Sequence, residues 1–200
     1  MSIPYVCIDN VDFLNFLMQK KLLLDHQLFE ITIQRLCQQL IENHNDFKNT
    51  ALIGLQPRGI FLADRIKATL EVNLGHNIDL GYLDITFYRD DFRRREKPLK
   101  ANATSMPFII EEKKVVLIDD VLYTGRSIRA ALDAMSAFGR PELVELLVLI
   151  ERKYTRHLPI QPNYIGKSVN TMQSQRVQVE WSIQGAKKDN IWLINKTDTE

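Results

Sequence analysis

Residues 115–135 read VVLIDDVLYTGRSIRAALDAM, and the order of parts in this stretch decides the fold. The aliphatic run at 115–118 reads as a buried strand and ends in two adjacent acids, Asp119 and Asp120. A short loop with Thr124, Gly125 and Ser127 follows. A helix then begins, with Ile128, Ala131, Leu132 and Met135 at helical spacing. The loop's backbone N–H groups and the positive end of the helix dipole suit a phosphate. The carboxylates repel phosphate but suit sugar hydroxyls as hydrogen-bond acceptors. One segment thus offers separate seats for the two ends of a phosphoribosyl group. The plainer meaning of an Asp pair after a strand is a turn and a helix cap. Thr-Gly-x-Ser directly before a helix weighs against that, because glycine lets a ligand approach the backbone closely. The chain carries neither G-x-x-x-x-G-K-[ST] nor G-x-G-x-x-G, so neither an NTPase loop nor a dinucleotide fold is indicated.

Working outward, the flanking segments alternate. Residues 10–43 carry Leu24, Leu28, Ile31, Leu36 and Leu40 at roughly helical spacing and are expected to form a helix. A strand at 51–55 leads through Gln56, Pro57, Arg58 and Gly59 into a helix at 60–72. A second strand is expected over 80–87, followed by a charged loop. After the helix of the opening stretch, Gly139-Arg140-Pro141 breaks the chain and 143–150 reads as another buried strand. Residues 176–183 and 191–194 read as further strands. This alternation predicts an α/β fold with a mostly parallel sheet covered by helices. Ligands of such sheets bind beyond the carboxyl ends of the strands. The loops at 56–59, from Tyr88 onward and at 119–127 all start there, so all three are expected to converge.

The chain of 200 residues is 45% hydrophobic and 26% charged, as for one ordinary globular domain. A net charge of +1 offers no broad basic face for nucleic acid. Cys7 and Cys37 have no paired spacing and read as reduced thiols. The histidines have no metal-ligand spacing, so no protein-bound zinc is expected, and no hydrolase triad is visible. The N-terminus lacks a basic region followed by an apolar core, and no run is long enough to span a bilayer; a soluble cytoplasmic protein, away from membranes, is expected.

Two loops add charge. Arg58-Gly59 is a turn with a solvated arginine in its ordinary meaning, but it could hold a diphosphate bidentately. The loop after Tyr88 carries Arg89, Arg93, Arg94, Arg95 and Lys97 against Asp90, Asp91 and Glu96. A solvated run is the usual meaning of such charges; a lid over a polyanion is the functional one.

At this point the chain resembles a known family. VVLIDDVLYTGRSIRAAL resembles the phosphoribosyl diphosphate (PRPP) motif of type I phosphoribosyltransferases. LDITFYRDDF (83–92), IGLQPRGIFLADRI (53–66) and HLPIQPNYIGKSV (157–169) narrow the likeness to the PyrR family, pyrimidine operon regulators that are also uracil phosphoribosyltransferases. The resemblance runs over most of residues 20–180. It implies the type I fold, a central, mostly parallel twisted sheet flanked by helices with a small hood. One domain would span 1–200, with its core at about 20–155 and the hood and tail drawn from the N-terminal segment and about 156–200. It implies transfer of the phosphoribosyl group of PRPP to uracil, giving UMP and diphosphate, with Mg2+ held by substrate and water near Asp119 and Asp120 rather than by a protein cage. Asp119 and Asp120 would hold the ribose hydroxyls, and with Arg58 and Arg89 would be catalytic. Val121, Leu122, Tyr123, Thr124, Gly125, Arg126 and Ser127 would complete the phosphate seat. Gln56, Pro57, Arg58 and Gly59 would form the diphosphate loop. Tyr88, Arg89, Asp90, Asp91, Arg93, Arg94 and Arg95 would form a flexible lid.

The family also implies contacts to an mRNA leader, here through Arg152, Lys153, Arg156 and Lys167. Two departures bear on these roles. The family's Lys-Thr-Arg-Gly is Gln56-Pro57-Arg58-Gly59 here, which removes a cation. Its I-R-A-D-Y-I-G-K is Ile160-Gln161-Pro162-Asn163-Tyr164-Ile165-Gly166-Lys167, which removes an arginine. A uridine-nucleotide-responsive RNA-binding regulator of weak activity, or a phosphoribosyltransferase for another base, are the alternatives. A homo-oligomer, dimer or larger, is expected, with Phe13, Phe16 and Leu17 as apolar positions that one domain leaves over.

Overall fold

The structure is a computed structural model that describes residues 20–90 and 101–195. The chain divides into two compact units, Gln27–Asn170 and a second drawn from both chain ends, described over 20–26 and 171–195. In the larger unit, helix α1 (His26–His44) precedes β2 (Thr50–Leu55), α2 (Gly59–Leu74), β3 (Leu80–Leu83), β4 (Lys114–Leu122), α3 (Arg126–Met135), β5 (Leu143–Lys153) and β6 (Tyr164–Asn170). The strands form one five-stranded sheet in the order β3-β2-β4-β5-β6, every neighbouring pair parallel. The smaller unit is an antiparallel sheet in which β8 (Asn190–Asn195) lies between β1 (Lys21–Leu24) and β7 (Gln175–Glu180). Trp181, which follows β7, is 1% exposed.

Burial on both faces explains the strand sequences. All six residues of β2 are buried, as are Val115, Val116, Leu117 and Ile118 of β4 and 146–150 of β5. Parallel strands covered on two sides read as continuous apolar runs rather than alternating ones. α2 and α3 cross between parallel strands; Leu62, Ala63, Ile66 and Leu70 line the buried face of α2, and Ile128, Ala131, Ala134 and Met135 that of α3.

The strand order reverses between β2 and β4. From β2 the chain goes outward to β3, then returns across to β4 and continues outward to β5 and β6. A crevice beyond the carboxyl ends opens at such a reversal. There β2 delivers 56–59 and β4 delivers 119–127. The amino ends carry a different polar group, satisfied internally. His44 Nε2 lies 2.8 Å from Glu145 Oε2, its Nδ1 lies 3.2 Å from Thr50 Oγ1, and Tyr164 Oη approaches both His44 and Glu145. Burial holds His44 below its usual value, against the opposing pull of Glu145.

Several expectations are corrected. Residues 21–24 are a strand, not part of a helix, because Lys21 and Leu22 pair with Leu193 and Trp192 of β8; the helix starts at His26, and residues 10–19 lie outside the described residues. Local helical spacing yields here to sheet pairing made far along the chain. β3 stops at Leu83 instead of running to 87, because Asp84 turns the chain into a single helical turn, Thr86–Tyr88. β4 continues through the two acids, with Asp119 opposite Val148 and Leu122 opposite Glu151 of β5. Residues 164–170, for which no element is expected above, form the strand β6; its Gly-Lys-Ser interior lacks an apolar run.

Gly59 is the contact that brings α2 onto β4. A Cβ there would collide with Ile118 O and lie 3.0 Å from Asp119 Cα. Gly59→Ala is expected to cost about 1–3 kcal/mol, since neither obstacle is a movable side chain. Chemical denaturation against the wild type measures this, and an unchanged midpoint would contradict the close approach.

Candidate functional site

The site is built on Asp119 and Asp120, the last acids before β4 ends. Side chains of consecutive strand residues point to opposite faces, yet both carboxylates are drawn into the sheet's end. Asp119 is half-buried and Asp120 is 7% exposed. Asp119 Oδ1 accepts the Asp120 amide at 2.9 Å. Arg58, placed by the tight approach of Gly59, donates from Nε to Asp120 Oδ2 at 2.8 Å. Burial pushes Asp119 well above the ordinary carboxyl value and the Asp120 charge adds to it, while Arg89 and Arg58 pull the other way. Burial also raises Asp120, opposed by Arg58. Two neighbouring carboxylates in a low-dielectric end of a sheet form a costly arrangement, relieved by hydroxyl donors or by a cation.

Gly125 takes a left-handed conformation, φ 90°, at the N-cap of α3, and no side chain caps that terminus. Thr124, Arg126 and Ser127 surround it, with Thr124 Oγ1 3.5 Å from the Arg126 amide. The loop is braced from the segment after β5. His157 donates its amide to Thr124 O at 3.0 Å, Thr155 Oγ1 to Tyr123 O at 3.4 Å, and Arg156 also donates to Tyr123 O. The Arg152 guanidinium stacks 3.9 Å over the Tyr123 ring. Ile160 and Leu158 pack where a side chain on Gly125 would go.

The third loop arrives from β3. Arg89 Nη1 donates to Ser127 Oγ at 3.2 Å; Asp90 pairs with Arg126 and lies 3.7 Å from Arg129. Gln56, joined to Pro57 by a cis peptide, donates from Nε2 to Ala103 O at 2.9 Å. The structure therefore brings together Gln56, Pro57, Arg58, Gly59, Arg89, Asp90, Asp119, Asp120 and residues 123–127. Val121 and Leu122 stay in the strand, with Leu122 buried in the core. Tyr88, 43% exposed, ends the turn before Arg89. Asp91, Arg93, Arg94 and Arg95 lie outside the described residues, as do Phe13, Phe16 and Leu17.

The residues expected at RNA are used differently from one another. Arg152 is 4% exposed beneath its Tyr123 contact, and Arg156 is held between Tyr123 O and Glu151, 3.2 Å from Glu151 Oε1. Lys153 and Lys167 are exposed. Sequence reasoning missed Thr155 and His157, whose backbone and hydroxyl contacts leave no pattern. It also missed Asp84, although Asp-x-Thr after a strand is a known turn signal.

With the geometry in place, the comparisons decide the lineage. The chain matches the phosphoribosyl transferase domain family over residues 19–184. It is 41% identical over 181 residues to the bifunctional protein PyrR of Halalkalibacterium halodurans, covering 88% of this chain and 98% of that protein. The chain belongs to the PyrR family. The Bacillus subtilis bifunctional protein PyrR is 40% identical over 165 residues, 81% of this chain and 90% of that protein. Solved structures share the fold at far lower identity. A Staphylococcus aureus hypoxanthine phosphoribosyltransferase is 13% identical with a TM-score of 0.65, covering 98% of each chain. The Trypanosoma cruzi hypoxanthine phosphoribosyltransferase bound to IMP is 10% identical with a TM-score of 0.66, covering 91% of this chain and 92% of that one. The chain thus has the type I phosphoribosyltransferase fold. Among the described residues, no helix is long and apolar enough to cross a membrane.

The raised carboxyls have a thermodynamic consequence. The folded state binds their protons more tightly than the unfolded chain, so stability falls as pH rises from the ordinary value of 3.8 through the raised ones. Above that window the repulsion is fully present. Asp119→Asn keeps an oxygen for the Asp120 amide and removes one charge. It is expected to raise the melting temperature near pH 8, by about 2–4 °C for each kcal/mol relieved, and to give no gain near about pH 4. A melting series across that range checks it; a variant less stable than wild type at the upper end would refute the repulsion.

Proposed function

We propose that the protein transfers the phosphoribosyl group of PRPP to uracil, releasing diphosphate and forming UMP. The observation that carries this reading is the paired Asp119 and Asp120 at the strand-order reversal, with Arg58 on one side and the open terminus of α3 on the other. The acids suit the ribose hydroxyls, and their raised proton affinity makes them strong acceptors for those donors. The N–H groups around Gly125 suit the 5-phosphate. Arg58 and Arg89, both cationic and both acting on the acids, suit the negative charge that gathers on diphosphate as it leaves C1. No protein nucleophile is needed; holding the two substrates in line and stabilising the leaving group account for catalysis.

The acidic pair also fits a divalent cation carried in by the substrate. Asp119 and Asp120 would lie nearest Mg2+, which would be held by PRPP oxygens and water and would neutralise the diphosphate. The catalytic assignment goes to Asp119, Asp120, Arg58 and Arg89, and 56–59 and 123–127 form the remaining PRPP contacts. A cytoplasmic, self-associating protein fits this chemistry.

RNA binding is the second activity that the family name "bifunctional protein" raises. The structure favours catalysis over it, because Arg152 and Arg156 brace the phosphate loop. Exposed Lys153 and Lys167 are the positions from which an RNA contact would be made.

The expected outcome is UMP formation that needs both PRPP and Mg2+, with hypoxanthine, adenine and orotate much poorer than uracil in a competition panel. Arg58→Ala is expected to lower kcat by about 100-fold or more. Asp119→Asn with Asp120→Asn is expected to abolish turnover. Robust UMP synthesis by the double variant would remove both acids from their assigned role.

A further inference from the structure

Asp84 belongs to none of the three loops as read from the sequence, yet it is 8% exposed and fully engaged. Its Oδ1 accepts the Thr86 amide at 3.1 Å and the Thr86 hydroxyl at 2.6 Å. Its Oδ2 accepts the Asn102 amide at 2.9 Å, and its own amide donates to Thr104 Oγ1 at 3.1 Å. A turn after a strand needs only the first oxygen. The second spans to a leg of chain 18 residues later. Tyr82 and Ser105 exchange two backbone hydrogen bonds just below, at 2.7 and 2.8 Å, so 82–86 and 102–105 are joined at two levels.

Each leg then touches the site. Thr86 opens the turn that ends at Tyr88, whose amide bonds Ile85 O at 3.0 Å, and Arg89 follows directly. Arg89 reaches Ser127 and its charge acts on Asp119. The other leg presents Ala103 O to Gln56 of the 56–59 loop. We infer that Asp84 is a positioning residue for phosphoribosyl transfer, its carboxylate tying the two legs together so that Arg89 is set against Ser127.

The inference rests on the proposed reaction for its meaning but not for its test. Asp84→Asn has one acceptor oxygen in place of two and turns an NH2 group toward one leg, so it breaks one tie while conserving size. Four proteins form the cycle: wild type, Asp84→Asn, Arg89→Ala and the double variant. The first readout is the carboxyl titration of Asp119 followed by 13C NMR without ligand. Asp84→Asn is expected to move that titration upward, as Arg89 is displaced, and to have no effect once Arg89 is gone. The second readout is kcat/KM for PRPP, expected to fall about 10-fold in Asp84→Asn and no further in the Arg89→Ala background. Thr86→Val, which removes one donor to Oδ1, gives a smaller loss of the same kind and serves if Asp84→Asn does not fold. Equal effects with and without Arg89, or an unmoved Asp119 titration, would overturn the inference. A wild type that forms no nucleotide would instead overturn the proposed reaction, with the titration still deciding Asp84.

Discussion

The candidate site depends on how closely the first turn of α2 can approach the end of β4. With no Cβ at Gly59, the helix backbone rests against Ile118 and Asp119, where any side chain would strike main-chain atoms. That approach sets Arg58 within 2.8 Å of Asp120 and makes one crevice from residues that are 62 positions apart in sequence. A second glycine, Gly54, works in the same joint, since a Cβ there would lie 2.8 Å from that of Ala63. The reversal of strand order creates the crevice, and these two glycines make it narrow enough for opposite charges on its walls to pair.

The same crevice is where the fold departs from its own rules. Elsewhere the sheet is apolar and its buried polar groups are satisfied, as in the His44, Glu145 and Tyr164 group at the amino ends. At the carboxyl ends two acids stand side by side with raised proton affinity, and α2 and α3 both begin without a side-chain cap. Each is a local cost that packing around it must sustain. Both are relieved by the same class of molecule, one with adjacent hydroxyls at one end and a phosphate at the other. A site whose tensions are complementary to a ligand is organised before the ligand arrives.

Much of this was legible in the sequence, for reasons particular to each part. The runs 51–55, 115–118 and 143–150 announce parallel strands because both of their faces are covered, and Gly125 marks the loop from which a helix starts. The pairing of Arg58 with Asp120 was not readable, since it arises from sheet order and not from spacing. Strand β1 was hidden by leucines that also fit a helix and are claimed by β8. Asp84 escaped because its second oxygen bonds Asn102, a partner no local pattern contains.

The cations at the end of β5 and in the turn after it show most sharply how charge in a sequence can mislead. Arg152, Lys153 and Arg156 look like one basic cluster, yet the strand's alternation and the turn after it separate their roles. Arg152 is carried inward to stack on Tyr123, and Arg156 is carried beneath the phosphate loop to Tyr123 O and Glu151; only Lys153 is turned out. Two cations that would have counted toward a polyanion-binding face are committed instead to the shape of Tyr123 and Thr124. Affinity for a nucleic-acid backbone scales with the cations available to phosphates. Of the three cations at 152, 153 and 156, Lys153 is the exposed one. The segment 152–160 therefore serves the phosphate loop, through Tyr123 O, Thr124 O and the packing of Leu158 and Ile160 against Gly125.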